Sequence, residues 1–219
     1  MKEKIVEVAL EQFLQYGIRN MTIKKLIEPM GISTKTVYKY FESKEELLAE
    51  CLRVLYDGYY NEFSAILSKG DYPVTTLLIL FRGSVGKDFG VNHQFFHDLN
   101  HYYPELQNAA INRSSKNYGS LFLPLTQRGI DEGYFHDFIV PDVALKGIMI
   151  LYSSITRSDE HKHCKGGPYK LFKNLVEVYI RGMCTEKGLK EIENNSYHND
   201  YSYEEDHPYC FNAFLLCCR

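Results

Sequence analysis

The sequence predicts an all-α protein built from two helical domains and a short tail. Apolar residues recur at three- and four-residue steps along most of the 219 residues. Gly, Pro, Ser and Thr stand where these stretches begin or end. No segment alternates apolar and polar residues at period two, so we expect no sheet. The predicted boundaries are 1–46, 47–193 and a poorly ordered tail at 194–219.

Three short helices form the first predicted domain. A helix over 2–16 is predicted from apolar residues that share one face, namely Ile5, Val8, Ala9, Phe13 and Tyr16. Gly17 ends it. Thr22 can cap a second helix carrying Ile23, Leu26 and Ile27. Pro29 and Gly31 then supply a break and a turn.

A third helix, over 33–41, is predicted from the capping residue Ser33 and from Val37 and Phe41 on its inner side. The stretch SKEE at 43–46 is typical of a capping box, in which Ser43 and Glu46 each satisfy the other's backbone amide. It begins a long helix. Further helices are predicted over 73–88, 91–102, 104–131, 141–157 and 168–184.

Composition favours a globular protein of the cytoplasm. The apolar fraction of 45% supplies a core, and the net charge of −3 excludes a polycation that coats nucleic acid without selectivity. Acidic residues interrupt the N-terminal apolar residues, so no secretory signal is expected, and no apolar run is long enough for a bilayer. The cysteines show no regular spacing, which favours a reducing compartment.

The three N-terminal helices, with a glycine turn before the third, match a helix-turn-helix. In that motif the last helix enters the major groove of DNA. With Val37 and Phe41 inside, the outward side chains are Thr34, Lys35, Thr36, Tyr38 and Lys39. Residues 19–44 contain six basic residues (Arg19, Lys24, Lys25, Lys35, Lys39, Lys44) and two acidic ones (Glu28, Glu42), a local charge of +4. This surface suits phosphates and base edges.

The stretch MTIKKLIEPMGISTKTVYKYFESKEELL at 21–48 resembles the N-terminal motif of TetR-family repressors, and the likeness reaches back through the first helix. The resemblance implies operator DNA as a partner. It implies backbone contacts by Thr22, Ser33, Thr36, Tyr38 and Lys44, and contacts that tune recognition by Thr34, Lys35 and Lys39. Lys24 completes the predicted DNA-binding set. Two departures stand out: Lys35 replaces a frequent Gly, and Pro29 shortens the supporting helix.

The resemblance also implies that the second domain binds a small-molecule effector and forms a homodimer. Effector cavities are lined mainly by hydrophobic and aromatic side chains. The predicted lining residues are Phe63, Phe81, Phe95, His97, Tyr118 and Phe122. The predicted dimer helices, 141–157 and 168–184, are more apolar than a one-faced surface helix requires, and their predicted interface residues are Ile148, Leu151, Leu175 and Val178.

Two histidine clusters leave alternatives open. His93, His97 and His101 share a helix face, and His161 and His163 adjoin Cys164. Either cluster could hold a metal or sense oxidation, but a polar face and a solvated loop are favoured, so no metal and no cofactor are predicted.

Three functions therefore remain: a repressor released by an effector, a metal- or redox-sensing regulator, and a helical enzyme or adaptor carrying a helix-turn-helix. No phosphate loop, nucleophile elbow or convincing carboxylate pair is present in the sequence, so we expect no enzymatic activity.

Overall fold

The computed structural model describes residues 1–69, 72–157, 161 and 166–194, without the side chains of residues 111 and 114–118. Its helices are α1 (Lys2–Tyr16), α2 (Ile23–Ile27), α3 (Thr34–Val37), α4 (Lys44–Leu67), α5 (Pro73–Asp88), α6 (His93–Tyr102), α7 (Pro104–Asp131), α8 (Pro141–Thr156), α9 (Gly167–Phe172), α10 (Val178–Met183) and α11 (Glu186–Asn194). A 3₁₀ turn (Glu28–Met30) follows α2, and a π-helical turn (Lys173–Glu177) joins α9 to α10. The described residues contain no strand, and the all-α prediction is confirmed.

The first compact unit comprises residues 1–61 and 91–116. In it α1 packs against α2 and α6, α2 packs against α3, and the start of α4 contributes fully buried leucines. Gly17 ends α1 with φ +79°, a left-handed value that costs glycine little. Gly31, with φ +62°, turns the chain between the 3₁₀ turn and α3. These two glycines set the short connections of the helix-turn-helix.

The second unit comprises residues 62–90 and the described part of the chain from 117 to 194. Its apolar core is formed by α5, the end of α7, α8, α9, α10 and α11. Phe135, which is 1% exposed, fills the space beside Gly129, where a Cβ atom would lie only 2.4 Å from the ring. Glu191 of α11 accepts a hydrogen bond from the Thr75 amide at the first turn of α5 (2.7 Å).

Most helix boundaries match the sequence-based prediction, with four differences. The third helix closes at Val37 rather than at residue 41. The sixth begins at His93, because Asn92 caps it by accepting a hydrogen bond from the Gln94 amide. The segment predicted as one helix over 168–184 is divided by the π-helical turn. α11 was missed, since its apolar positions are few. Of the predicted tail at 194–219, Asn194 is the last residue of α11, and residues 195–219 lie outside the described part.

Among the described residues, the chain passes between the units at three points: within α4, between α5 and α6, and within α7. The predicted boundary between residues 46 and 47 also falls within α4, and it stays a prediction about functional division. No helix of the described residues combines the length and the hydropathy needed to cross a bilayer.

Candidate nucleic-acid interface

The helix predicted to enter the major groove shows the expected division between inside and outside. Val37 and Phe41 are 0% and 2% exposed, so they anchor α3 and the turn after it in the core. Lys35, Tyr38 and Lys39 are exposed, and Tyr38 shows 55% of its surface. A phenol and two ammonium groups therefore project from a rigidly packed base, the arrangement that contacts with phosphates and base edges require.

Hydroxyl groups at the starts of the two helices act first as caps. Thr22 accepts a hydrogen bond from the Lys25 amide (3.3 Å), and Ser33 accepts one from the Thr36 amide (3.3 Å). The hydroxyls of Ser33 and Thr36 also lie 3.1 Å apart. Thr22 and Ser33 remain exposed and Thr36 is half-buried, so the same caps that fix the helices lie at the surface where DNA contacts are predicted.

The six basic residues of segment 19–44 do not have the same environment. Lys24, Lys25, Lys35 and Lys39 are exposed. The Arg19 guanidinium lies over the ring of Tyr102, 4.1 Å from its centre.

Lys44 is half-buried, and its ammonium donates a hydrogen bond to the Ile18 carbonyl (2.7 Å). Burial lowers the pKa of Lys44, against the opposing effect of Glu45 and Asp98. Its predicted contact with DNA remains untested, but in the free protein this ammonium has an internal partner.

The start of α4 differs in one bond from the predicted capping box. The Glu46 amide donates to the Ser43 hydroxyl (3.1 Å), as predicted. The Glu46 carboxylate, however, accepts from the amide of Glu42 (2.6 Å) rather than from that of Ser43. The reciprocal hydrogen bond of the capping box is therefore made by Glu42, one residue before Ser43. It fixes the chain between α3 and α4.

Sequence reasoning missed a set of polar contacts behind this surface. The Asp98 side chain of α6, which is fully buried, accepts hydrogen bonds from the backbone amides of Ile18 (2.8 Å) and Arg19 (2.7 Å). The side-chain amide of Gln94 donates a hydrogen bond to the other carboxylate oxygen of Asp98 (2.8 Å). The contacting residues are about 80 positions apart, and no local pattern reports such a pairing.

Comparison with known proteins identifies the type of helix-turn-helix. Residues 5–51, which span the three helices and the start of α4, match the model of bacterial regulatory proteins of the tetR family. The N-terminal helix-turn-helix is therefore a DNA-binding domain of the TetR type. The protein is a regulator of transcription that binds DNA through its helix-turn-helix.

Similar proteins extend the match beyond the first domain. The chain is 26% identical over 152 residues to the transcriptional repressor KstR2 of Mycobacterium tuberculosis, covering 66% of this chain and 74% of that one. Its fold is similar to that of the fatty acid degradation regulator FadR from Bacillus halodurans, with a TM-score of 0.67 and 20% identity over 83% of this chain and 99% of that one. FadR from Bacillus subtilis in complex with stearoyl-CoA gives the same TM-score at 16% identity, with the same shares covered.

The predicted effector residues fall into two groups in this regulator. Phe63, Phe81 and Phe122 form an aromatic cluster in the second unit, with ring centres 5.6 Å apart for the pair Phe63 and Phe122 and 5.4 Å apart for Phe81 and Phe122. Phe95 and His97 belong to the first unit instead. The side chain of Tyr118 lies outside the described residues. The prediction that these six residues line one cavity is therefore untested.

Two surface concavities of the second unit have other linings. One, of about 490 Å³, is bordered by Tyr72, Tyr134 and residues of α11. The other, of about 420 Å³, lies between Leu123 and Pro141. None of the predicted effector residues lines either one.

One predicted dimer residue needs correction. Ile148 is only 2% exposed because it packs in the core of its own protomer. Leu151 and Leu175 are partly buried against the same core. Val178 on α10, the fourth predicted residue, is 58% exposed. On α8 the exposed apolar side chains are Val143, Met149 and Ile150, with Ile150 showing 70% of its surface. Ile148 therefore faces the core of its own protomer, and the assignment of α8 to the dimer interface stays a prediction.

His97 and His101 of α6 lie side by side, without a third ligand among the described residues. His97 and His101 stack with ring centres 4.2 Å apart. Nδ1 of His97 is 3.2 Å from the Gln94 amide nitrogen, and Nδ1 of His101 is 3.0 Å from the His97 carbonyl. Within the described ranges no three His, Cys, Asp or Glu side chains are grouped to hold a metal. His163 and Cys164 of the second cluster are outside those ranges.

Proposed function

We propose that this protein is a homodimeric repressor that leaves its operator when a large apolar effector binds to the helical domain. The exposed face of α3 above a buried Val37 and Phe41 is the observation that carries the proposal. The proposal includes a cytoplasmic location, because the protein must reach its operator DNA. Release requires only that the effector bind more tightly to the conformation that does not fit the operator.

We assign the proposed base and phosphate contacts from the chemistry of each side chain. Lys35 and Lys39 can donate to guanine edges or phosphates, and the Thr34 hydroxyl can either donate or accept. Tyr38, Thr22, Ser33 and Thr36 would fix the protein on the phosphate backbone, which gives register without reading sequence. Lys24 adds a charge on the supporting helix. Lys44 would join them only if its ammonium leaves the Ile18 carbonyl.

Dimerisation is proposed through the outer faces of α8 and α10. Val143, Ile150 and Val178 are 60%, 70% and 58% exposed. Val143 and Ile150 are two turns apart and so share one face of α8. Exposed apolar side chains that share a face can mark an interaction surface. To enter successive major grooves, the two recognition helices of the dimer must lie about 34–36 Å apart.

The effector class is proposed from the aromatic cluster of the second unit together with the relatives. Phe63, Phe81 and Phe122 offer rings and no charge, which suits an aliphatic chain or a fused apolar ring system. The Bacillus subtilis FadR structure contains stearoyl-CoA, and the Mycobacterium tuberculosis KstR2 structure is described as that of a ketosteroid regulator. We therefore propose a long-chain acyl thioester or a steroid-like effector.

Selection of bound DNA from a random pool tests the first half of the proposal. We expect a palindromic site with half-sites about 10 base pairs apart, centre to centre. Enrichment of no sequence at all would refute specific binding.

Titration of the selected complex with stearoyl-CoA, with coenzyme A alone as the control, tests the second half. We expect the acyl thioester to release DNA and to raise the melting temperature of the protein. Release by coenzyme A alone would refute the apolar effector.

A further inference from the structure

We propose that Asp98 is a positioning residue for operator binding: its carboxylate holds the backbone of Ile18 and Arg19 and so orients the loop that leads into the helix-turn-helix. The proposal rests on the proposed operator binding. Asp98 is fully buried, so it takes no part in DNA contact itself. Its effect must pass through the two amides that donate to it.

The loop in question, Gly17–Asn20, connects α1 to the cap of α2 and has little secondary structure of its own. Within this loop, charged side chains from two distant helices hold both the amide and the carbonyl of Ile18. The Ile18 amide donates to Asp98 of α6 (2.8 Å), and the Ile18 carbonyl accepts from the Lys44 ammonium of α4 (2.7 Å). A residue restrained at both its donor and its acceptor cannot rotate about its backbone without losing a charge-assisted hydrogen bond.

The end of α1 is held by the same helix that carries Asp98. The backbone amide of Asn92 donates to the Leu14 carbonyl (2.9 Å), and the Asn92 side chain donates to the Gln15 carbonyl (3.0 Å). Gly17 lies so close to Gln94 that a Cβ atom would be 2.9 Å from its Cγ. The cap of α6, its first turn and Asp98 therefore contact residues 14, 15, 17, 18 and 19.

Asp98 is suited to accept these backbone hydrogen bonds because its carboxyl group stays ionised. Burial alone would raise the pKa of its carboxyl group, but hydrogen bonds from the Arg19 amide, the Gln94 side chain and the Ile18 amide outweigh burial, and the pKa lies below its usual value. The carboxylate form is therefore complete at neutral pH and is lost only as the pH falls through this lowered pKa.

Direct electrostatics and positioning predict opposite signs for a substitution at residue 98. Removing a negative charge from a DNA-binding protein strengthens its attraction to phosphates. Loss of the hydrogen bonds to the loop instead frees the entrance to α2 and weakens binding. Asp98→Asn keeps one carbonyl oxygen that can accept from both amides, so it should restore part of what Asp98→Ala loses.

The test compares operator affinity of the full-length wild type, Asp98→Ala and Asp98→Asn by fluorescence anisotropy, using DNA selected with the wild type. Asp88→Asn is the matched control, because it removes one buried acid, 3% exposed, from the second unit with the same change in charge. We expect Asp98→Ala to weaken binding by on the order of tenfold or more, the usual effect of losing a hydrogen bond to a charged group. Asp98→Asn should lie between it and the wild type, and Asp88→Asn should match the wild type.

Amide hydrogen exchange separates a local effect from general unfolding. In Asp98→Ala the amides of Ile18 and Arg19 should exchange faster, while those of the second unit keep their protection. Equal affinity of Asp98→Ala and the wild type, or an equal loss in Asp88→Asn, would overturn the proposal. If Asp98→Ala does not fold, Asp98→Asn decides by the same criteria. Failure of the wild type to bind any selected DNA would count against the proposed function instead, before the variants are compared.

Discussion

Substitution of Ile150 by glutamate should separate the dimer without unfolding the protomer. Ile150 is 70% exposed on α8. Complete burial of an isoleucine side chain contributes about 1.5–3 kcal/mol, so burial of this exposed part contributes roughly 1–2 kcal/mol. Two-fold symmetry doubles the effect to about 2–4 kcal/mol, which weakens the dimer by about 30- to 700-fold. Placing a charge at the interface adds to this loss.

Light scattering and sedimentation at micromolar concentration measure the outcome, and circular dichroism checks the fold. Ile79→Glu on α5 is the matched control, since Ile79 is 46% exposed and lies on neither proposed dimer helix. Ile148→Glu gives the contrasting result, because Ile148 is 2% exposed and a charge there should unfold the second unit. A dimeric Ile150→Glu protein, or a folded monomeric Ile148→Glu protein, would contradict the assignment of the two faces.

Three further predictions concern DNA contact, core packing and metal binding. Lys35→Ala and Tyr38→Ala should weaken operator binding with the fold intact. If Lys35 contacts one phosphate, Lys35→Ala should also reduce the slope of log affinity against log salt concentration by about 0.9 in magnitude. Gel-shift titrations at several salt concentrations measure both effects, and unchanged affinity in both variants would refute the assignment of α3. Phe135→Ala should lower the free energy of unfolding in urea by about 3–5 kcal/mol, since Phe135 is 1% exposed, and a loss below about 1 kcal/mol would show that the site collapses freely. A chelator should leave operator binding unchanged, and calorimetry showing one tight zinc ion per subunit that is lost in His97→Ala would favour the metal-sensing alternative.

The sequence was sufficient to predict the helices whose boundaries depend on local chemistry. Thr22, Ser33 and Gly17 cap or end their helices as predicted, because capping involves residues within four positions of one another. Periodicity likewise identified Val37 and Phe41 as core residues. It failed for Ile148, since both faces of α8 are apolar and the pattern does not tell which face meets the protomer's own core. Contacts such as that between Asp98 and Ile18 depend on how distant helices pack.

Lys44 illustrates why a charge count over a segment overstates the charge available to DNA. All six basic residues between 19 and 44 contribute to the long-range potential that attracts DNA. Short-range contact requires in addition a donor that is not already satisfied, and the Lys44 ammonium donates to the Ile18 carbonyl at 2.7 Å. If Lys44 holds the loop in the bound state too, Lys44→Met should weaken operator binding about as much as Asp98→Ala does, and the double variant should weaken it by less than the product of the two. If Lys44 instead moves to a phosphate, the two losses should multiply, because they then act at separate places. The titrations that test Asp98 therefore also decide which of these two partners the Lys44 ammonium has on the operator.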